Sequence, residues 1–309
     1  MPCKISTEQN SDESLQLLAA GSTFYGKAKV VAGIQFILLV PAALIASLLI
    51  LSKPDWKLWA TFYSLTAALL DVLVLDRLQT HYRKMGAKTQ ELFDTTLFQL
   101  NWKTTRSGPK PDGEDLTRAA SSFQKANPDR SFLKDWYPSI VSELPLPLAR
   151  LICQRAVCKW DTDLRRTFSI GAIVSLAVVL LGVVLIALAG EMKAGDVILK
   201  IYAPVAPAVL WCIREFLRQR DALSGLEKLK SHIESVWEKA LRGSATVSEL
   251  AADARDIQDC LFDGRSRHPL IFNWVYRIAR RFQEDGMKAK AADMVKEAQK
   301  SGVHLKDAT

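Results

Sequence analysis

VVAGIQFILLVPAALIASLLIL, residues 30–51, runs for 22 positions without a charged side chain. As a helix rising 1.5 Å per residue it covers roughly 33 Å, enough to cross the hydrocarbon core of a bilayer. TFSIGAIVSLAVVLLGVVLIALAG, residues 167–190, adds 24 more charge-free positions. Each run is too long and too uniformly apolar for an ordinary buried helix. Each is also followed by a weaker companion. Residues 58–75 reach 18 positions by including Asp71, and residues 197–213 include Lys200, Pro204 and Pro207. Short polar links, 52–57 and 191–196, join strong to weak, so each pair reads as a hairpin. The sequence therefore predicts an all-α membrane protein with four transmembrane helices in two hairpins, extended by cytoplasmic helices.

The flanks set the orientation. Lys27 and Lys29 precede the first span; Arg77, Arg83, Lys84 and Lys88 follow the second. Arg155, Lys159, Arg165 and Arg166 precede the third; Arg214, Arg218 and Arg220 follow the fourth. The two links carry only Lys53, Lys57 and Lys193. Positive charge stays on the cytoplasmic side, so both termini and the middle region are expected there. The expected divisions are a cytoplasmic segment 1–29, hairpin 30–75, cytoplasmic middle region 76–166, hairpin 167–213 and a cytoplasmic helical region 214–309. Twenty-nine residues, three of them acidic, precede the first apolar run. That run also exceeds the roughly 7–15 residues of a signal-peptide core, so a retained span is expected.

Composition agrees with this division. A chain of 309 residues holds a membrane domain and one modest soluble body. Five widely spaced cysteines give no disulfide framework and fit a reducing compartment. The net charge of +8 follows from the cytoplasmic flanks and calls for no DNA or RNA polymer as partner.

In the soluble parts, Leu78, Tyr82, Met85, Thr89, Leu92 and Thr96 recur at alternating spacings of four and three, which marks one helix face. Leu226, Leu229, Ile233, Val236 and Ala240 mark another, and the two stripes are natural packing partners. SGPKPDG at 107–113 cannot hold a helix. The C-terminal region reads as helices at 246–262, about 269–284 and 288–300, separated at Gly264 and Gly286. No strand pattern stands out.

Signatures of catalysis are missing: no phosphate loop, no HExxH, no GxSxG, no dinucleotide fingerprint. His81, His232, His268 and His304 are scattered, and Cys153 and Cys158 lack nearby histidines, so neither metal nor cofactor is expected. The expectation is a protein that is not an enzyme. Within the membrane, Thr61, Ser64, Ala68 and Asp71 share one face of the second span with Lys57. Such a polar, small-residue stripe suits a water-lined path and suits close helix packing equally. Lys200 sits near a span end, where it snorkels outward.

Five segments carry a family likeness: QLLAAGSTFYGKAK (16–29), FDTTLFQLNW (93–102), DWYP (135–138), CQRAVCKWDTDLRR (153–166) and IQDCLFDGR (257–265). With two hairpins placed among them, the chain from about residue 15 to 285 resembles the SMODS-associated four-transmembrane pore-forming effectors. That resemblance implies bacterial antiphage defence of the CBASS type. It implies a cyclic nucleotide second messenger bound in the cytoplasmic region, and a homo-oligomer that disrupts the inner membrane. Phosphates call for Arg or Lys and bases for aromatic rings. Two groups offer both: Arg155, Trp160, Arg165 and Arg166, and Arg130, Lys134, Trp136 and Tyr137. The topology alone also accounts for Arg155, Arg165 and Arg166. A membrane-anchored sensor or scaffold that conducts nothing is the alternative, and a small transporter fits less well because only one span carries a polar stripe.

Overall fold

The structure is a computed structural model that describes residues 3–42, 45, 46, 49, 53–189, 193, 195 and 203–302. Ten helices carry these residues: α1 (Ile5–Glu8), α2 (Asp12–Leu39), α3 (Lys57–Leu70), α4 (Asp76–Leu97), α5 (Thr104–Ser107), α6 (Gly113–Ala126), α7 (Leu146–Ala189), α8 (Ala203–Leu241), α9 (Val247–Arg267) and α10 (Asn273–Ser301). No strand occurs among the described residues, as expected.

Helix starts follow capping chemistry. Ser11 caps α2 by accepting from the Ser14 amide at 3.2 Å, with Asp12 and Glu13 facing the positive end of the helix dipole. Asp112 caps α6 at the end of the Pro- and Gly-rich loop, accepting from the Glu114 amide at 2.8 Å. Thr246 and Glu249 form a reciprocal capping box at the start of α9.

α2 runs unbroken through position 30, so the N-terminal segment and the first span share one helix. Its first half buries Leu15, Leu18, Ala19, Ala20 and Phe24 in the core of the body. α3 continues through a π-helical turn, Asp71–Leu75, into α4. α7 likewise runs for 44 residues, from the body into the apolar stretch 167–189. Two helices among the described residues are long and apolar enough to cross a bilayer, Leu58–Leu97 and Leu146–Gly182. Their most apolar windows are only 17% and 19% buried. A core helix of a soluble protein would be mostly covered; here Leu58, Phe62, Val72, Val178 and Leu188 stand exposed. That exposure fits a lipid-facing surface. The other two expected spans, 30–51 and 197–213, lie partly outside the described residues, as does most of the 191–196 link.

α2 packs antiparallel on α4, where Gly86 admits the Tyr25 ring: a Cβ at position 86 would lie 3.0 Å from three ring atoms. α7 packs antiparallel on α8, and α9 bridges α4 and α7. The two apolar stripes therefore take different main partners. Thr89 is buried, and Tyr82, Met85 and Leu92 pack against the shared core, while Leu226, Leu229, Ile233, Val236 and Ala240 are all buried. Leu78 and Thr96 remain exposed. The stripes meet in one core but not as a face-to-face pair, because α2 and α7 supply longer apolar faces.

The C-terminal region departs from the sequence reading. α9 passes through Gly264 and ends at His268, and α10 passes through Gly286 without a break. A glycine in a helix interior costs about 1 kcal/mol. Docking of Ala291, Met294, Val295 and Ala298 into the core offsets it, aided by the Trp237 indole donating to Glu297 at 3.2 Å.

Thr246→Ala removes the capping box and is expected to cost about 1 kcal/mol, whereas Thr246→Ser retains the cap. Thermal unfolding of the detergent-solubilised chain checks this; equal melting temperatures for Ala and Ser would show that the cap contributes nothing.

Candidate functional site

The motif segments converge on one buried polar cluster. Glu91 and Asp94 lie three residues apart on one face of α4, and both carboxylates are buried. From α9, Arg255 pairs with Glu91 and, at 2.8 Å, with Asp259. Arg265, nearly three turns beyond Arg255, pairs with Asp94. Gln258 donates at 2.9 Å to both Glu91 and Asp94. The Tyr137 hydroxyl, from the segment before α7, donates to Asp94 at 2.7 Å. Gln154 of α7 joins through Gln258 at 3.1 Å, and Lys103 reaches Asp259 at 2.7 Å. Burial pushes the Glu91 carboxyl up, against the pull of Arg255. Burial would lower the Arg265 guanidinium, but Asp94 beside it raises it. Burial, then Asp94, pushes the Tyr137 phenol well above its usual value. Every carboxylate oxygen of Glu91 and Asp94 accepts at least one hydrogen bond from a side chain of the cluster. The cluster fixes α4, α7, α9 and the 135–138 segment to one another; its chemistry is structural.

The second feature is an open cleft of about 390 Å³ between the start of α2 and the loop after α6. Two cations, Arg130 and Lys134, line it with two carboxylates, Asp12 and Asp129, and with Asn10 and Ser131. The Arg130 and Lys134 side chains make no hydrogen bond or ion pair among the described residues, and Lys134 acts on Asp129 through its charge alone. Asp129 accepts from the Ser131 amide at 2.7 Å and its hydroxyl at 2.8 Å, and these bonds hold its carboxyl below the usual range. Asn10 donates to Asp135 at 2.9 Å and accepts from the Asp135 amide at 3.0 Å.

The sequence-selected residues divide. Arg130 and Lys134 share the cleft. Tyr137 turns into the core and Trp136 packs half-buried against it, so neither ring lines the cleft. The α7 group is a separate place. Arg155 pairs with Glu234 at 2.9 Å, and Arg166 pairs with Glu227 at 2.9 Å on the surface. Arg165 is buried, bonded to Asp161 at 3.0 Å, to Gln219 at 2.7 Å and to the Pro269 carbonyl at 3.0 Å. Burial raises the Asp161 carboxyl, but Arg165 and His268 beside it prevail and hold it low. Trp160 lies half-buried on the same helix. These arginines tie α7 to α8 and to the α9–α10 junction.

In the membrane stripe, Thr61, Ser64 and Ala68 are exposed, and Ser64 donates back to the Ala60 carbonyl at 2.9 Å. Asp71 starts the π turn and accepts from Gln35 of the first span at 2.7 Å. Tyr63 adds a bond to the Leu38 carbonyl at 2.7 Å. Among the described residues no three His, Cys, Asp or Glu side chains are grouped to hold a metal ion. Sequence reasoning missed Glu91, Asp94, Arg255, Gln258, Arg265 and Gln35. For Gln35 a signal existed: a single amide in a charge-free span next to a span with a single acid.

Helical rods that cross from a packed body into lipid-exposed surface define an all-helical membrane protein whose soluble part holds the polar chemistry. The profile described as the SMODS-associating 4TM effector domain matches residues 3–294, and the chain belongs to that family. It is similar to a probable CBASS effector molecule of Bacillus cereus strain VD146, 26% identical over 288 residues, 91% of this chain and 94% of that protein. No solved structure matches it.

Arg265→Met strands the buried Asp94 charge and is expected to cost about 3–5 kcal/mol. Adding Asp94→Asn to Arg265→Met removes that charge and should recover part of the loss. A double-mutant cycle on thermal unfolding measures it, and strictly additive losses would refute the coupling.

Proposed function

We propose that the chain is a CBASS effector of antiphage defence. In this reading it sits in the cell inner membrane through four spans, with both termini and the middle region cytoplasmic. A cyclic nucleotide second messenger binds the cytoplasmic body, and a homo-oligomer then disrupts the membrane. Family membership and the likeness to a probable CBASS effector support the pathway. The observation that carries the mechanism is the continuity of α3–α4 and of α7 from the body into the apolar segments. Each rod moves as a unit, so a change of packing in the body is delivered to the bilayer without a hinge. A ligand moves that packing only through a difference in affinity between two arrangements. No catalytic step is needed.

Asp71 is the residue through which the spans would act. An ionisable group at that depth costs about 2.5–3.5 kcal/mol even on the lenient scale, and π turns often mark functional positions. Rotation of the stripe Thr61, Ser64, Ala68 and Asp71 toward a shared lumen gives an oligomer a polar path. The Gln35–Asp71 bond also favours a second reading, in which the hairpin only anchors a sensor or scaffold. Cells that co-express the chain with an active cyclic-nucleotide synthase should depolarise and admit dye. Asp71→Leu should suppress that leak while membrane insertion persists. A full membrane potential with the wild-type chain and active synthase would overturn the effector reading; an undiminished leak in Asp71→Leu would remove Asp71 from it.

A further inference from the structure

The cleft at the start of α2 does not end at Arg130. A smaller hollow of about 50 Å³ between α2 and α6 shares that arginine and is lined by Gln16, Thr117, Ser121 and Gln124. One side of Arg130 thus offers a second cation, Lys134, and the other offers neutral amides and hydroxyls. Phe132 follows Ser131 and stands exposed, its ring 5.5 Å from that of Phe123. We propose that these two neighbouring hollows, which share Arg130 between α2, α6 and the 128–134 loop, form a binding groove for a phosphodiester-linked nucleotide. The assignment rests on the messenger reading above and gives the messenger a place.

The carboxylates narrow the ligand class. A bare phosphate entering the cleft meets Asp12 and Asp129 together with Arg130 and Lys134, so its charge is only partly favoured. A nucleotide brings amino and hydroxyl donors as well as phosphate, and a carboxylate is an acceptor for those donors. Guanidinium and ammonium groups suit the phosphodiester, and the Gln and Ser side chains suit polar base edges; the exposed Phe132 ring lines neither cavity and stands beside Ser131 in the same loop. The volume of the larger part falls within the roughly 300–1,000 Å³ of small-molecule sites. Position excludes a lipid headgroup. Gln16 lies fourteen residues before Val30 on one helix, about 21 Å from where the span begins. The ligand is therefore diffusible.

The groove is also wired to the body. The segment that carries Arg130 and Lys134 continues directly into Asp135, held by Asn10, and into Tyr137. Gln9 clamps Tyr137 through both backbone groups, at 2.7 Å and 3.1 Å, and the Tyr137 hydroxyl rests on Asp94 of α4. Occupancy of the groove loads the loop that ends on the rod entering the membrane.

The test is calorimetric titration of the full chain in detergent micelles with cyclic di- and trinucleotides of adenosine and guanosine, and with pyrophosphate. At least one cyclic nucleotide should bind the wild type, and pyrophosphate should bind at least about tenfold more weakly. Losing two charge-assisted contacts in the Arg130→Ala/Lys134→Ala variant should weaken nucleotide binding by about tenfold or more. Arg242→Ala, an exposed cation just after α8, should leave it unchanged. The double variant should keep the wild-type melting temperature, since neither side chain holds the fold. Equal affinity in the double variant overturns the groove and leaves the messenger reading standing. Pyrophosphate as tight as nucleotide overturns the ligand class, and no cyclic nucleotide bound by wild type overturns both readings.

Discussion

Asp94 has no exposed surface, and an ionised carboxylate without solvent is tolerable only where donors replace the water it has lost. Three donors do so: Arg265 and Gln258 from α9, and Tyr137 from the segment leading into α7. Apolar burial, as at Phe93, Leu97 and Phe98, is non-directional and does not by itself fix a register. The Asp94 contacts would not survive a slip of one turn. A buried ion pair is weak evidence of net stability, because desolvation consumes much of the attraction. Its consequence here is register. It specifies how α4 lies against α9, and the surrounding core fills in around that choice.

The same device recurs in the apolar, exposed part of the same rod. Asp71 lies 23 residues before Asp94, about 35 Å along a continuous helix. There the donor is Gln35 of the first span. One carboxylate thus fixes the rod against α9 in the body, and the other fixes it against α2 in the apolar segment. Sliding or rotating the rod breaks a polar contact at one end, at the other, or at both. The π turn beginning at Asp71 places one extra residue in the rod between these two points. That changes which faces the two carboxylates present relative to a regular helix, so that each meets its own partner.

Much of this was legible from residue patterns, and the limits have physical causes. Apolar run length read the long membrane-directed helices, and the stripes read the buried faces of α4 and α8, because burial and periodicity are local properties. The partners of those stripes were not legible. The longer apolar faces of α2 and α7 outcompete a direct pairing, and which face wins depends on the whole assembly. Gly264 and Gly286 punctuate the sequence but not the helices, since core docking of Met294 and Val295 outweighs the propensity of one glycine. Among the site candidates, aromatic and cationic residues near one another in sequence were grouped as binding sets. The fold separates them: Tyr137 is needed inside to satisfy Asp94, whereas Arg130 and Lys134 stay at the cleft beside Asp12 and Asp129. The α7 arginines find Glu234, Glu227 and Asp161, acids that lie far away in sequence or on the same helix.

Energetics constrain how far such a packing could be shifted. Converting a state populated 1:99 into one populated 99:1 needs a differential affinity of about 5.5 kcal/mol. A single hydrogen bond to a charged group, such as Tyr137 on Asp94, is worth about 1.5–3 kcal/mol. Loosening that bond alone falls short, and a ligand that touched only one side chain would leave the resting packing in place. The loop between α6 and α7 gathers several such contacts in series: Asn10 on Asp135, Gln9 on the Tyr137 backbone, Tyr137 on Asp94, and Arg265 on the same carboxylate. Their sum reaches the required scale only when they yield together. A rod held by charge at two points therefore resists small perturbations, and only a load that breaks more than one of these contacts would shift it.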